Sequence, residues 1–320
     1  MTQKESTKTG YIDSAGMISV SISTFFQEET VPDVNPKIKY VKGNQTMTDY
    51  YQIPPQELGS GAKIPLKVME SSDAVFSELA LEMVQEIEIN QEKGRHTVMI
   101  IPVGPVGHYS FFVQLVNERR LSLKDCTFIN MDEYLTDDGE YIDKNSRFSF
   151  RGFMEREVYG KIDPELLMGA EQRVFPDPHQ PEAIRDLIDS LGGVDLTIGG
   201  IGINGHVAFN EADASMTPEA FAAQHTRVLD ISPETRTAGA IGDIGGAIEA
   251  FPKKCITVGF AEIFASRKIR LGVFRDWHRA VVRRAAYGAV SAAFPVTLLQ
   301  DHPDTAIYVN DVAARQPYVM

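Results

Sequence analysis

The sequence predicts an α/β fold: a doubly wound, mainly parallel sheet with helices on both faces, preceded by an N-terminal extension. Three observations carry that expectation. Apolar runs of strand length alternate with longer stretches of helical period through most of the chain. The connections between them are short, as they are in βα units. Two of the strand-like runs also break into glycine-rich, polar loops, which is how strands end at the ligand crevice of an open α/β sheet.

Taken in order, residues 1–62 differ in texture from the rest. They combine a Thr/Ser/Lys/Gln-rich start, a β-like patch over 18–26, and Pro32, Pro36, Pro54 and Pro55. They read as an extension that packs on the main domain or pairs with a neighbouring subunit, with 1–15 alternatively a disordered leader. The main domain is expected over 63–320. Val75, Phe76, Leu79, Ala80, Met83, Val84 and Ile87 keep a helical period; Ser71, Ser72 or Asp73 can cap the start, and Gly94 ends the helix. Strands follow over 97–101, 126–131, 173–175, 194–198, 255–258, 269–274 and 306–309. Helices are expected over 109–119, 148–158, 183–191, 277–287 and 295–299. The Gly/Ala-rich stretch 237–251 reads as a mobile loop or short helix.

Composition bounds the function. With 43% hydrophobic and 23% charged residues in 320, the chain is ordinary for a globular protein. A formal net charge of −13 at pH 7 argues against nucleic acid or an anionic membrane as partner. The polar start and the lack of any run near eighteen apolar residues argue for a cytoplasmic protein without a membrane span. Cys126 and Cys255 lie in apolar, strand-like contexts and are expected as buried thiols. His96, His108, His179, His206, His225, His278 and His302 show no close pairing such as His-x-x-x-His, so no zinc or other metal site is expected.

The chemistry concentrates in few places. After the run 194–198 come Gly199, Gly200, Gly202 and Gly205, then Asn204, His206, Asn210 and Glu211 within and just beyond the glycines. Such a loop is either a tight structural turn or a backbone shaped around a ligand. The acidic residue that a dinucleotide site places about twenty residues on has no candidate here. A second loop, Pro102-Val-Gly-Pro-Val-Gly-His108, puts Gly104 and Gly107 ahead of a helix N-terminus. Backbone N–H groups and the helix dipole would suit an anion there, although Pro105 removes one donor. Asp132 and Glu133 follow a strand and are either solvated loop residues or, with His206 and Glu211, a proton-shuttling set. Basic residues gather from Arg275 through His278, Arg279, Arg283 and Arg284, either as a solvated helix face or as a grip on an anionic substrate.

Three motifs carry a resemblance: Phe128-Ile-Asn-Met-Asp-Glu-Tyr134, Gly199-Gly-Ile-Gly-Ile-Asn-Gly-His-Val-Ala-Phe-Asn-Glu211, and Pro295-Val-Thr-Leu-Leu-Gln300 ahead of His302-Pro303. Over roughly 64–310 the chain resembles the glucosamine-6-phosphate deaminase/isomerase family, and it is identified as a divergent member. The resemblance implies a Rossmann-like fold of the sugar-phosphate isomerase type. It also implies aldose–ketose isomerisation of an amino-sugar phosphate with release of ammonia, without a cofactor, in a homo-oligomer.

By the same resemblance His206 opens the sugar ring, oriented by Glu211 and Asn204, and Asp132 moves a proton between C2 and C1. Gly104, Pro105, Val106 and Gly107, with Gly205, His278 and Arg279, are the implied substrate and phosphate contacts. Several positions depart from the family. Position 204 is Asn rather than Asp, the phosphate loop reads Gly-Pro-Val rather than Gly-Gly-Thr, and the family's phosphate-binding lysine falls on His278. An expected arginine is missing, since neither Arg nor Lys occurs over 237–252. Ring opening and proton transfer are therefore expected to be kept and the substrate grip rebuilt. The alternatives are the same chemistry on another sugar or sugar acid, a non-catalytic sugar-phosphate sensor, and a nicotinamide-dependent dehydrogenase.

Overall fold

The computed structural model describes Tyr11–Ile12, Ile18–Ser19 and residues 49–319. Residues 1–43 and 44–320 form separate units. In the first, β1 (Tyr11–Ile12) pairs antiparallel with β2 (Ile18–Ser19), Tyr11 opposite Ser19. The rest of the β-like patch over 18–26 lies outside the described residues.

In the second unit, β3 (Leu66–Val68) leads into α1 (Ser72–Glu92). The Ser71 hydroxyl accepts from the Ala74 N–H to cap this helix, and Gly94 ends it at a φ of 62°. Val75, Leu79, Met83 and Ile87 form its fully buried stripe. There follow β4 (Thr97–Ile101), α2 (His108–Arg119), β5 (Cys126–Asn130), β6 (Asp132–Leu135), α3 (Phe150–Phe153), β7 (Arg173–Val174), α4 (Ala183–Ser190) and β8 (Leu196–Gly199). The chain continues through α5 (Pro218–Ala222), β9 (Arg227–Asp230), α6 (Pro233–Asp243), β10 (Lys254–Thr257), α7 (Phe260–Phe264) and β11 (Lys268–Val273). It ends with α8 (His278–Tyr287), a 3-10 turn at Pro295–Asp301, β12 (Thr305–Val309) and α9 (Asp311–Ala314).

Seven strands form one parallel sheet in the order β3-β12-β11-β8-β4-β5-β7. Its central strands are buried along their whole length, as a sheet covered on both faces requires. This is the expected doubly wound sheet. Chain order places β5 and β7 on one side of β4, then returns to put β8 on the other. The order therefore reverses between β4 and β8.

Two expectations are corrected, one strand is additional, and one stretch expected as a loop or a short helix is helical in part. The strand at Cys255 does not join the parallel sheet; β10 is the centre of an antiparallel β6-β10-β9 sheet. Asp132 to Tyr134, expected as a strand's trailing loop, form the first part of β6, because the chain turns at Met131 and pairs again with β10. Strand β9 escaped notice because its Arg-Val-Leu-Asp sequence sits at the edge of that small sheet, half exposed. Over 237–251 the structure has the end of α6 and a 3-10 turn, Ile248–Ala250. Ser232 caps α6 and Pro233 opens it, a start signal that outweighs the glycines further on.

The cluster of basic residues on α8 is also unlike a solvated face. Arg283 is fully buried and donates to the carbonyls of Ile53, Arg279, Ala314 and Arg315. It ties residues before β3 and after α9 to one helix. Both cysteines are buried and free, and burial pushes the Cys126 thiol up to about 12.

Candidate active site

In an open α/β sheet a ligand crevice opens beyond the carboxyl ends of the strands where their order reverses. Here that point lies between the loop after β4 and the loop after β8. The two loops touch: a Cβ added to Gly200 would lie 3.2 Å from the Pro105 ring. A cleft of about 420 Å³ opens there, lined by both loops, by Asp132, His206 and Thr235, and by Arg147 and Arg275. The Phe148, Phe209 and Phe251 rings line it too. They belong to the small core between the antiparallel sheet and α6.

His206 owes its position to glycine. A Cβ at Gly202 would fall 1.9 Å from the imidazole, so only glycine leaves room for the ring. The Gly202 N–H donates to the His206 carbonyl at 2.9 Å and closes the loop. Gly205, expected as a substrate contact, instead turns the chain at a φ of 82° with its α-carbon against the Phe294 ring. Gly202→Ala is expected to lower kcat by about 10²-fold, the scale for an ångström of misplacement of a catalytic group. Steady-state kinetics beside a thermal melt will separate this loss from unfolding.

The hydrogen bonds around His206 assign its tautomer. The Glu211 carboxylate can only accept, so it takes the Asn204 Nδ2–H at 2.7 Å. The Asn204 Oδ1 then faces His206 Nδ1 at 2.7 Å and must accept a hydrogen bond from its N–H. Nε2 is left as the basic nitrogen, on a ring that lines the cleft. Thr235 completes the set: its hydroxyl donates to Glu211 at 3.0 Å and lies 3.2 Å from His206 Nδ1. Burial pushes the Glu211 carboxyl up, but the His206 hydrogen bond and charge, with Asn204 and Thr235, bring it down to about 2. The carboxylate thus acts on the imidazole both directly, with His206 Nδ1 3.5 Å from Glu211 Oε2, and through the amide at 204, which adds no charge. Sequence reasoning missed Thr235 and Ser232. Their Ser-Pro-Glu-Thr pattern signals a helix start, and only the fold sets that start beside His206.

Asp132 and Glu133 are neighbours on a strand and so point to opposite faces. Asp132 reaches the cleft. Burial, and then the charge of Glu133, push its carboxyl well above the ordinary range. Glu133 turns inward and accepts from the N–H groups of Tyr134, Phe150 and Arg151, from the Ser149 hydroxyl and from the Arg151 guanidinium. It anchors the start of α3 and has no free face for chemistry. Asn210 is likewise structural, donating to the Val207 and Val258 carbonyls and accepting from Arg227.

Of the expected phosphate contacts, Gly104, Pro105 and Val106 line the cleft. Gly107 lies against Phe76 at the start of α2, where a Cβ would meet that ring at 2.4 Å. His278 borders the cleft with both ring nitrogens engaged. Nε2 donates to the Ile201 carbonyl at 2.9 Å, and Nδ1 accepts from the N–H groups of Phe274 and Arg275. Burial pushes it down to about 3, so it is neutral and offers no charge to an anion. Arg279 faces Asp276, the Gln316 carbonyl and the Tyr318 ring instead of the cleft. Among the described residues, the cations that do line the cleft are Arg275, first of the basic residues gathered there in the sequence, and Arg147, which nothing in the local sequence marks. Among the described residues no cluster of three His, Cys, Asp or Glu could hold a metal. No described helix is long and apolar enough to cross a membrane.

No family model matches the chain. It is 32% identical over 192 residues to a protein named glucosamine-6-phosphate deaminase from Beutenbergia cavernae, covering 59% of this chain and 71% of that one. It is 28% identical over 254 residues to the protein of the same name from Mycoplasma mycoides, covering 78% and 96%. Among solved structures it is similar to a monomeric glucosamine-6-phosphate deaminase, with a TM-score of 0.67 and 24% identity over 78% of this chain and 98% of that one.

Proposed function

The chain belongs to the glucosamine-6-phosphate deaminase family, and from that premise we propose that it converts glucosamine 6-phosphate, or a close amino-sugar analogue, to the ketose phosphate and ammonia. The observation that supports this most is a tautomer-fixed His206 in one cleft with a desolvated Asp132.

Ring opening requires a proton to leave the anomeric hydroxyl and another to reach the ring oxygen. His206 Nε2 accepts the first and returns it to the second, with Glu211 stabilising the transient imidazolium through Asn204 and Thr235. The open-chain aldehyde acidifies the hydrogen on C2. Asp132, whose charged form is disfavoured by burial, is a correspondingly strong base when ionised; it removes that proton and delivers it to C1 by way of an enolamine. The resulting ketimine takes up water at C2, and ammonia leaves as the carbonyl forms. The ring-opening proton is thus carried by His206 and the C2-to-C1 proton by Asp132. Lactone hydrolysis on the same fold would need a base for water and no second group to carry a carbon-bound proton. Asp132 therefore favours isomerisation.

The family reading carries with it a cytoplasmic, self-associating enzyme, although the solved deaminase it is similar to is a monomer. The deciding experiment is a screen of phosphorylated and free amino sugars for ammonia release. Turnover of glucosamine 6-phosphate is expected; turnover of only a different sugar would move the assignment to that substrate. Ligand binding with no turnover of any sugar would make the protein a sensor.

A further inference from the structure

The resembled family's phosphate donors are largely gone from this chain. Pro105 has no N–H, Val106 has no hydroxyl, and His278 is neutral with both nitrogens bound to backbone. Yet a phosphate dianion held in a cleft needs cations or several N–H donors. Among the described residues lining the cleft, the side chains with a permanent positive charge are Arg147 and Arg275.

These two come from separate parts of the chain. Arg147 lies in the loop before α3, and Arg275 lies just beyond β11 at the sheet's carboxyl edge. Both converge on Asp243, the last residue of α6. Arg275 donates to its carboxylate at 2.8 Å and Arg147 to its carbonyl at 3.0 Å. Two guanidiniums brought to one residue need an anion between them, and the carboxylate with the negative end of α6 supplies it. That partner is displaceable. The Arg275 side chain is 36% exposed and that of Asp243 55%, and exposed pairs of this kind hold weakly. His278 finds its role here. Its Nδ1 accepts the Arg275 N–H at 2.8 Å, so the imidazole fixes the backbone that carries this arginine.

We propose that Arg147 and Arg275 are the phosphate-gripping pair of this enzyme, with Asp243 occupying them until substrate arrives. Phosphate then replaces the carboxylate on Arg275 and the backbone carbonyl on Arg147 with one dianion that each guanidinium can meet through two N–H groups. The proposal rests on the sugar-phosphate reading above, but it concerns binding and is tested without turnover.

The test is titration calorimetry of the full chain with glucosamine 6-phosphate, glucosamine and inorganic phosphate, every sample, the wild type for the arginine pair included, carrying Asp132→Asn so that the sugar is bound and not turned over. The wild type is expected to bind glucosamine 6-phosphate more tightly than glucosamine. Arg275→Ala and Arg147→Ala are each expected to weaken the phosphorylated ligand by about tenfold or more. Both should leave glucosamine nearly unchanged, and Asp243→Asn should tighten inorganic phosphate. Arg279→Ala, outside the cleft, is the control. Should an alanine variant fail to fold, Arg275→Gln and Arg147→Gln are read in its place. Binding of glucosamine 6-phosphate within twofold of wild type in both arginine variants would overturn the pair, as would a wild type with no preference for the phosphorylated sugar. Tight arginine-dependent binding, with no ammonia released by the chain that keeps Asp132, would uphold the pair and refute the deaminase reading.

Discussion

Asp132→Asn is expected to lower kcat by about 10²–10⁴-fold, the range for a lost general acid–base group, while raising the melting temperature at neutral pH. The two effects share one cause. Asp132 is buried beside Glu133, and both burial and that charge disfavour its ionised form. A carboxyl raised in the folded state supports folding fully below its unfolded value and loses that support as pH rises through the folded value. The melting-temperature advantage of the asparagine variant should therefore be absent in acid and grow toward neutral pH. Melts across pH 4–8 beside ammonia-release kinetics measure both. Undiminished turnover would remove Asp132 from the proton path, and a variant less stable at neutral pH would show that the carboxylate is better accommodated than its surroundings imply.

His206→Gln should cost about as much, roughly 10²–10⁴ in kcat, because an amide can keep contact with Asn204 but cannot carry a proton. The loss should fall on ring opening. A substrate offered predominantly in its open-chain form should recover part of the rate, whereas Asp132→Asn should gain nothing from it. Equal losses on ring-closed and open-chain substrates would place His206 elsewhere in the reaction. The carboxylate behind this histidine should persist far into acid. Glu211 is held at about 2, so its contribution is present above pH 4.5 and fades only as pH falls toward that lower value.

How much could be read in advance differs from residue to residue. The helix Ser72–Glu92 was legible to its ends, because its stripe, cap and terminal glycine all agree. The His206 loop was legible because the glycines and the polar residues they serve are adjacent in the chain. His278 was misread for the opposite reason. An exposed imidazole and one sealed between three backbone groups look alike in a sequence, and only burial distinguishes a phosphate contact from a support. Arg147 was invisible, since a lone arginine in a polar loop carries no local signal.

The sequence by itself determined the alternation of strand and helix and the two glycine loops, and it singled out the aspartate and the histidine that we propose as the reacting groups. These follow from periodicity, from turn chemistry and from motifs whose members lie within a few residues of one another. Only the tertiary structure decided that β10 leaves the parallel sheet and that Glu133 anchors a helix while Asp132 faces the cleft. The same holds for the gathering of Thr235, Arg147 and Arg275 around one cavity from three distant segments. Those outcomes depend on strand register and on which face of an element is buried, and both are set by contacts between residues far apart in the chain.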